Sequence, residues 1–157
     1  TLTHAKTELD MIKELADNEA AYRSVTSSWF EHSPLLEIMK ILSEKGIKVM
    51  LTTDHGSIRV KNAVKVIGDK NTNTNLRYKQ GKNLDYSSKE VFEVSNTEQA
   101  HLPRQNVSTK YIFARGDDFF VYPNNYNHFA KYYKNTFQHG GISMEEVLCP
   151  LVLLDPK

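Results

Sequence analysis

Apolar residues recur every three or four positions along the first part of the chain. This spacing, with charged residues between, predicts amphipathic helices over residues 5–16 and 19–29. A third helix is predicted over 35–44. Ser33 and Pro34 form a typical helix start, and Gly46 is a typical C-terminal cap. The N-terminal third of the chain is therefore predicted to be mostly helical.

The apolar pattern then shortens to runs typical of strands. Residues 47–53 (IKVMLTT) follow the third helix and predict a buried central strand of an α/β sheet. Further strands are predicted within 58–67 and at 148–154, and 111–115 with 119–122 are predicted to form a hairpin. Asn124 or Asn125 is predicted to cap a short helix ending at Tyr133, and Ser143 with Glu146 matches a capping box. The order of elements predicts an α/β fold, a mixed sheet flanked by helices.

Residues 68–109 lack a clear periodicity. They are polar and rich in asparagine and threonine, which predicts loops with short strands. Because the stretch is too long for a simple connection, we interpret it as an insertion or cap within the domain.

Composition narrows the class of protein. The 157 residues carry a formal charge of +1 and are 39% hydrophobic, which excludes wholesale disorder and argues against nucleic-acid binding by bulk charge. The longest apolar runs, 47–51 and 151–154, are far shorter than a membrane span of ~20 residues. The single cysteine, Cys149, excludes an internal disulfide framework and favours a reducing, cytoplasmic setting. Since it falls in the apolar 148–154 run, we expect it to be a buried, inert thiol.

Two short motifs carry candidate chemistry. Asp54-His55-Gly56 directly follows the predicted strand 47–53, and binding sites form beyond the carboxyl ends of such strands. Asp and His are ligand types that Zn²⁺ prefers, and Gly56 would permit a sharp turn. His139-Gly140-Gly141 is the second motif, a histidine on flexible backbone.

Each motif also has an ordinary structural interpretation. Asp54 can cap a turn, His55 can be a loop histidine, and His139 can lie in a simple turn before Ser143. His4 precedes the first predicted helix, where an exposed terminal histidine is the ordinary alternative. The remaining histidines, His32, His101 and His128, have no comparable setting.

Taken together, the motifs resemble those of the alkaline phosphatase superfamily. The residues that carry the resemblance are 53–56 (TDHG) after a strand and 137–146 (FQHGGISMEE) before a last strand. With 73–81 (NTNLRYKQG) and 118–126 (DFFVYPNNY), the chain is similar to the C-terminal half of a PglZ domain, most closely that of PorX-type two-component response regulators. The resemblance covers residues 1–157.

The resemblance implies a site for two metal ions, zinc in the first instance. His139 and His4 would contribute to one ion, and Asp54 and His55 to the other; the nucleophile and the remaining ligands are expected upstream of Thr1. A phosphoester or nucleotide-like substrate would be hydrolysed between the ions. Arg77, Lys79 and Lys82 are candidates for neutralising substrate charge, with a solvated basic loop as the alternative.

Two functions follow from this resemblance. The parent protein is either a metal-dependent phosphatase or phosphodiesterase, or a non-catalytic signalling module with a structural metal. The upstream half of the domain and a receiver domain are the implied partners. We expect no substantial hydrolase activity from the 157 residues alone, because a half-formed site binds metal weakly. We expect either self-association, as a homodimer, through apolar surface that the upstream half would cover, or a sheet edge that the insertion at 68–109 makes tolerable.

Overall fold

A computed structural model describes residues 19–103 and 106–157. They fall into two units, with residues 19–53 and 150–157 in unit 1, and residues 54–103 and 106–149 in unit 2. The predicted helix over 5–16 and the candidate ligand His4 lie outside the described residues. Helices and short sheets, parallel and antiparallel, occur together, so the predicted mixed α/β class is confirmed.

Unit 1 contains two helices and a two-stranded ribbon. Helices α1 (Glu19–Glu31) and α2 (Pro34–Glu44) confirm the predicted helices, with Pro34 in the first turn of α2. Gly46 follows the α2 C-cap with φ +69°, the left-handed conformation that favours glycine. Strand β1 (Val49–Thr52) pairs antiparallel with the last strand, β9 (Leu151–Leu154).

The ribbon corrects the prediction of a buried central strand. Among the described residues, β9 is the only strand that pairs with β1, and Met50 is 63% exposed and Leu51 39% exposed. The β9 side chains are exposed as well, Leu151 at 64%. The apolar run correctly predicted a strand but not its burial, because the run does not show whether another element packs against the strand.

Cys149 is also a correction. β9 begins at Leu151, directly after Pro150, so Cys149 precedes the strand and its side chain is exposed. Proline lacks the N–H that a ladder position needs, which explains the later strand start.

Unit 2 contains the remaining strands and two short helices. The strands are β2 (Ile58–Arg59), β3 (Asn62–Lys65), β4 (Tyr78–Gly81), β5 (Val91–Val94), β6 (Lys110–Ala114), β7 (Asp118–Val121) and β8 (Phe137–Gln138). The helices are α3 (Tyr126–Tyr133) and α4 (Met144–Val147). β2 pairs antiparallel with β8, β3 pairs parallel with β7, and β6 lies between β4 and β5.

The strands predicted at 111–115 and 119–122 exist, but the hairpin between them was wrong. β6 is antiparallel to β4 on one side and to β5 on the other, so both of its edges are occupied. β7 pairs instead with β3. Residues 68–109 supply β4 and β5, so this stretch of loops and short strands contributes to the sheet and its core.

Two apolar clusters pack on opposite sides of β7. Phe120 belongs to a cluster with Val64, Val66, Val91, Ile112 and Ala114. Phe119 and Val121 belong to the other cluster, with Val60. Alternate residues of a strand point to opposite faces, so β7 joins the two clusters into the core of unit 2.

Glu93 on β5 gives the sheet an acid-sensitive contact. Its carboxylate accepts hydrogen bonds from Ser95, Tyr86 and Lys110, and these lower its pKa from 4.5 to about 2. A lowered carboxyl pKa stabilises the fold above 4.5, and this contribution is lost as the pH falls through about 2. Glu93→Gln should therefore reduce stability at pH 7 and flatten its decline between pH 4.5 and 2. Urea unfolding over this range tests the prediction, and parallel pH profiles for the two proteins would contradict it.

Candidate metal and hydrolase site

The structure brings the two histidine motifs together in unit 2. The imidazole rings of His55 and His139 stack with their centroids 4.0 Å apart and their planes within 10° of parallel. The two residues are 84 positions apart in the sequence. The preceding residue, Asp54, lies beside His55, with Oδ1 3.8 Å from His55 Nε2. Three of the four predicted ligands are thus neighbours, and the fourth, His4, lies outside the described residues.

Hydrogen bonds fix the orientation of the His55 ring. Nδ1 lies 2.8 Å from the Gly56 carbonyl oxygen, which can only accept, so Nδ1 carries the hydrogen. In the neutral ring the lone pair is then on Nε2, the nitrogen that faces Asp54. The Asp54 carboxylate also accepts the His55 backbone N–H at 3.0 Å, which is the turn-capping role. Both the ordinary and the chemical interpretation of Asp54 are therefore compatible with its position.

The spacing of these side chains meets some of the requirements of a metal ion and not others. Ligands of a tetrahedral zinc ion lie about 3.4 Å apart, as metal–ligand distances of about 2.0–2.2 Å require. The 3.8 Å between Asp54 Oδ1 and His55 Nε2 is close to this separation. A metal lies in the plane of each imidazole that binds it, so two parallel rings 4.0 Å apart cannot both bind one ion. As the rings stand, one ion could be bound by His55 or by His139, but not by both.

The described part of the chain does not complete a metal site. Within it, no group of three His, Cys, Asp or Glu side chains has an arrangement that could hold an ion. Asp54 with His55, and His139 separately, provide fewer ligands than the three or four that structural and catalytic zinc sites need.

A buried ion pair holds the His139 loop. The Arg77 guanidinium donates from Nε and Nη2 to the two carboxylate oxygens of Glu146, both at 2.9 Å, and both side chains are almost fully buried. The Glu146 carboxylate also accepts the backbone N–H groups of Gly141 at 2.9 Å and Ser143 at 3.2 Å. Burial raises the pKa of Glu146, but these hydrogen bonds outweigh it and leave the pKa below its ordinary value.

Glu146 also holds the His55 loop, through its backbone. The Gly56 N–H donates to the Glu146 carbonyl oxygen at 2.9 Å. A Cβ at Gly56 would lie 1.9 Å from the Glu145 carbonyl oxygen, so only glycine fits at this approach. One residue therefore connects both histidine loops, by its carboxylate on one side and its carbonyl on the other.

Asn75 completes this framework from the segment before β4. Its Nδ2 donates to the His139 carbonyl at 3.2 Å, and its Oδ1 accepts the Arg77 N–H at 2.7 Å. Gly140 has φ +98°, and a Cβ there would lie 2.6 Å from Asn75 Nδ2. Sequence reasoning missed Asn75, and it recognised Glu146 only as a capping residue.

Two of the three residues predicted to neutralise substrate charge are buried and not in a solvated loop. Arg77 is fully buried against Glu146 and also donates to the carbonyls of Gly116 and Asp118. Lys79 is 1% exposed, with Nζ 3.0 Å from the Asn73 carbonyl oxygen. Neither belongs to a solvated basic loop, because both lie on the β4 segment inside the core. Lys82 is exposed, and its role remains a prediction.

A comparison with known families decides the relationship. The family described as the BREX system PglZ alkaline phosphatase-like domain matches residues 1–154. The chain belongs to the PglZ family. The stacked histidines and Asp54 are thus a feature of a PglZ domain, and the predicted alkaline-phosphatase-like relationship is confirmed. No curated protein matches this PglZ chain. Among the described residues, no helix of the PglZ chain is both long and apolar enough to cross a membrane.

Proposed function

We propose that this PglZ chain supplies metal ligands to a phosphoester hydrolase, a phosphatase or phosphodiesterase that uses two zinc ions. The observation that carries the proposal is the stacking of His55 on His139 with Asp54 alongside. The two motifs are 84 residues apart in the sequence, and Glu146 accepts hydrogen bonds from the backbone of both loops, at Gly56 and at Gly141. The resemblance assigns the two histidines to different ions, and parallel ring planes support that assignment.

The described residues and His4 would be ligands of two different ions. Asp54 and His55 would hold one ion, and His139, with His4, the other. When bound, such ions polarise a phosphoryl oxygen and stabilise attacking and leaving oxygens. The chain's own contribution is to orient the imidazoles: the Gly56 carbonyl fixes the His55 hydrogen on Nδ1, and Glu146 holds the backbone around Gly141. The nucleophile and the remaining ligands are proposed to lie before Thr1.

The context of the domain is part of the same proposal. We place it as the output domain of a cytoplasmic two-component response regulator, partnered by a receiver domain and by the upstream half of the domain. The exposed apolar side chains of β1 and β9 support a partner surface in unit 1, for that half or for a second copy in a homodimer.

Substitution of His139 tests the enzymatic proposal. In the protein that contains this chain, His139→Ala should lower hydrolysis of bis(4-nitrophenyl) phosphate at least about 100-fold. Substituting a residue that only hydrogen-bonds to a metal ligand already lowers metal affinity or activity about 10–100-fold. His55→Ala should do the same, and each should lower the zinc content measured by elemental analysis. His128→Ala, an exposed histidine on α3, is the matched control and should leave both unchanged.

The outcomes separate the two candidate functions. Normal zinc content in a protein without hydrolysis would favour the non-catalytic signalling module. Zinc content and hydrolysis unaffected by His139→Ala and His55→Ala would overturn the metal-ligand assignment.

A further inference from the structure

Unit 2 contains a cavity of about 350 Å³. Its walls are mainly apolar and aromatic, formed by Leu76, Phe120, Val121, Tyr122, Phe129 and Tyr133. Thr74 and Asn124 also line it and are exposed to solvent, so the cavity reaches the surface of the unit. Cavities of about 300–1,000 Å³ with apolar walls and few polar groups are typical of small-molecule sites.

Lys79 gives this cavity its charged group. The residue lines the cavity and is 1% exposed. Its Nζ donates to the Asn73 carbonyl oxygen at 3.0 Å and lies 4.5 Å from the centroid of the Tyr122 ring, another part of the wall. An ammonium group has three N–H donors, so one carbonyl and one aromatic face leave it incompletely satisfied.

The neighbouring cation shows what Lys79 lacks. Arg77, two residues earlier, is equally buried but has the Glu146 carboxylate at 2.9 Å. Within residues 19–103 and 106–157, no carboxylate makes an ion pair with Lys79. A buried charge without a counter-ion is unfavourable, and burial lowers the pKa of Lys79 to about 8. An anion bound in the cavity would remove this penalty.

We propose that the cavity binds a small aromatic carboxylate, with its ring against the aromatic wall and its carboxylate paired with the Lys79 ammonium. An aromatic ligand body follows from the aromatic side chains of Tyr122, Phe129 and Tyr133 in the cavity wall. A carboxylate on the ligand is inferred from the Lys79 ammonium in the cavity wall, because hydrogen bonds between charged groups are stronger than those between neutral groups. This binding is an addition to the proposed hydrolase function and does not depend on zinc.

Calorimetric titration of the 157-residue chain with two ligands tests the proposal. The ligands share the same ring system and differ in charge. 2-Naphthoate carries the carboxylate, and 2-naphthamide is its neutral counterpart. At pH 7 the wild-type chain should bind naphthoate at least tenfold more tightly than naphthamide. Lys79→Met should weaken naphthoate at least tenfold while naphthamide still binds, which shows that the cavity persists. Lys89→Met, which removes an exposed lysine, should change neither.

Phe129→Ala is the second arm and should weaken both probes, because it removes part of the shared wall. Three results would overturn the proposal. They are equal affinity for naphthoate and naphthamide, unchanged naphthoate binding in Lys79→Met, and no binding of naphthoate to the wild-type chain at millimolar concentration. Binding measured with and without a zinc chelator keeps the outcome separate from that of the hydrolase proposal.

Discussion

Replacing Glu146 by alanine is expected to lower the free energy of unfolding of unit 2 by about 3–5 kcal/mol, the usual cost of leaving one partner of a buried ion pair alone. Arg77 would remain buried with its charge unbalanced. The N–H groups of Gly141 and Ser143 would lose their acceptor as well. Urea unfolding, followed by the amide NMR signals of β6 and β7, measures the loss.

Glu145→Ala is the matched control for this change. Glu145 is the preceding residue of α4 and is exposed, so its removal should alter stability by no more than about 0.5 kcal/mol. The pair Arg77→Met with Glu146→Leu should recover part of the loss, since apolar side chains of similar size can replace a buried ion pair. Equal stability of Glu146→Ala and Glu145→Ala would contradict a stabilising role for the pair.

The same variant tests whether Glu146 positions the histidines. The stacked rings of His55 and His139 each lie in the ring current of the other, and their ring-proton signals should move when the stack opens. Glu146→Ala should move both sets of signals at low urea, where the β6 and β7 amides still report folded structure. A change confined to stability, with the histidine signals unmoved, would show that Glu146 supports the fold but not the site.

Acid should weaken the pair in a defined direction. The pKa of Glu146 is lowered in the folded state, since its hydrogen bonds outweigh the effect of burial. The contribution of Glu146 is thus complete above the ordinary pKa of 4.5 and is lost as the pH falls through the lower folded value. A mildly acidic solution should therefore leave the histidine loops intact.

Local sequence signals predicted the elements well but not their partners. Ser33-Pro34 and Gly46 correctly bounded α2, and the apolar runs marked β1, β6 and β7. The pairing of β7 with β3 depends on residues more than 50 positions away and on β6 having no free edge. Short-range turn chemistry at 116–118 favoured a hairpin, and the wider sheet prevented it.

In the site, too, local sequence signals predicted the residues but not their long-range partners. Asp54, His55 and His139 were recognisable as ligand types on glycine turns, and they do lie together. Arg77, which lies in a polar, asparagine-rich segment, was predicted to neutralise substrate charge or to belong to a solvated basic loop. Its partner, Glu146, is 69 residues away, and only the folded chain shows that this charge is buried and paired.

Gly56→Ala is expected to separate the two histidine motifs. The added Cβ would lie 1.9 Å from the Glu145 carbonyl oxygen and 3.0 Å from its carbon, both backbone atoms that cannot turn aside. Relieving this overlap must break the Gly56 N–H bond to the Glu146 carbonyl. Overpacking alone costs about 1–3 kcal/mol, and the lost hydrogen bond of this half-buried N–H about 0.5–1.5 kcal/mol more.

Gly116→Ala distinguishes this overlap from the general cost of replacing a turn glycine. Gly116 has φ +44° and nothing within 4 Å of an added Cβ, so its replacement should cost only the about 1–2 kcal/mol of the left-handed conformation. The His55 and His139 ring signals should move in Gly56→Ala and stay in place in Gly116→Ala. If Gly56→Ala retained the stacked signals and cost no more than Gly116→Ala, the His55 loop would not depend on its close approach to α4, and the coupling of the two motifs through Glu146 would be wrong.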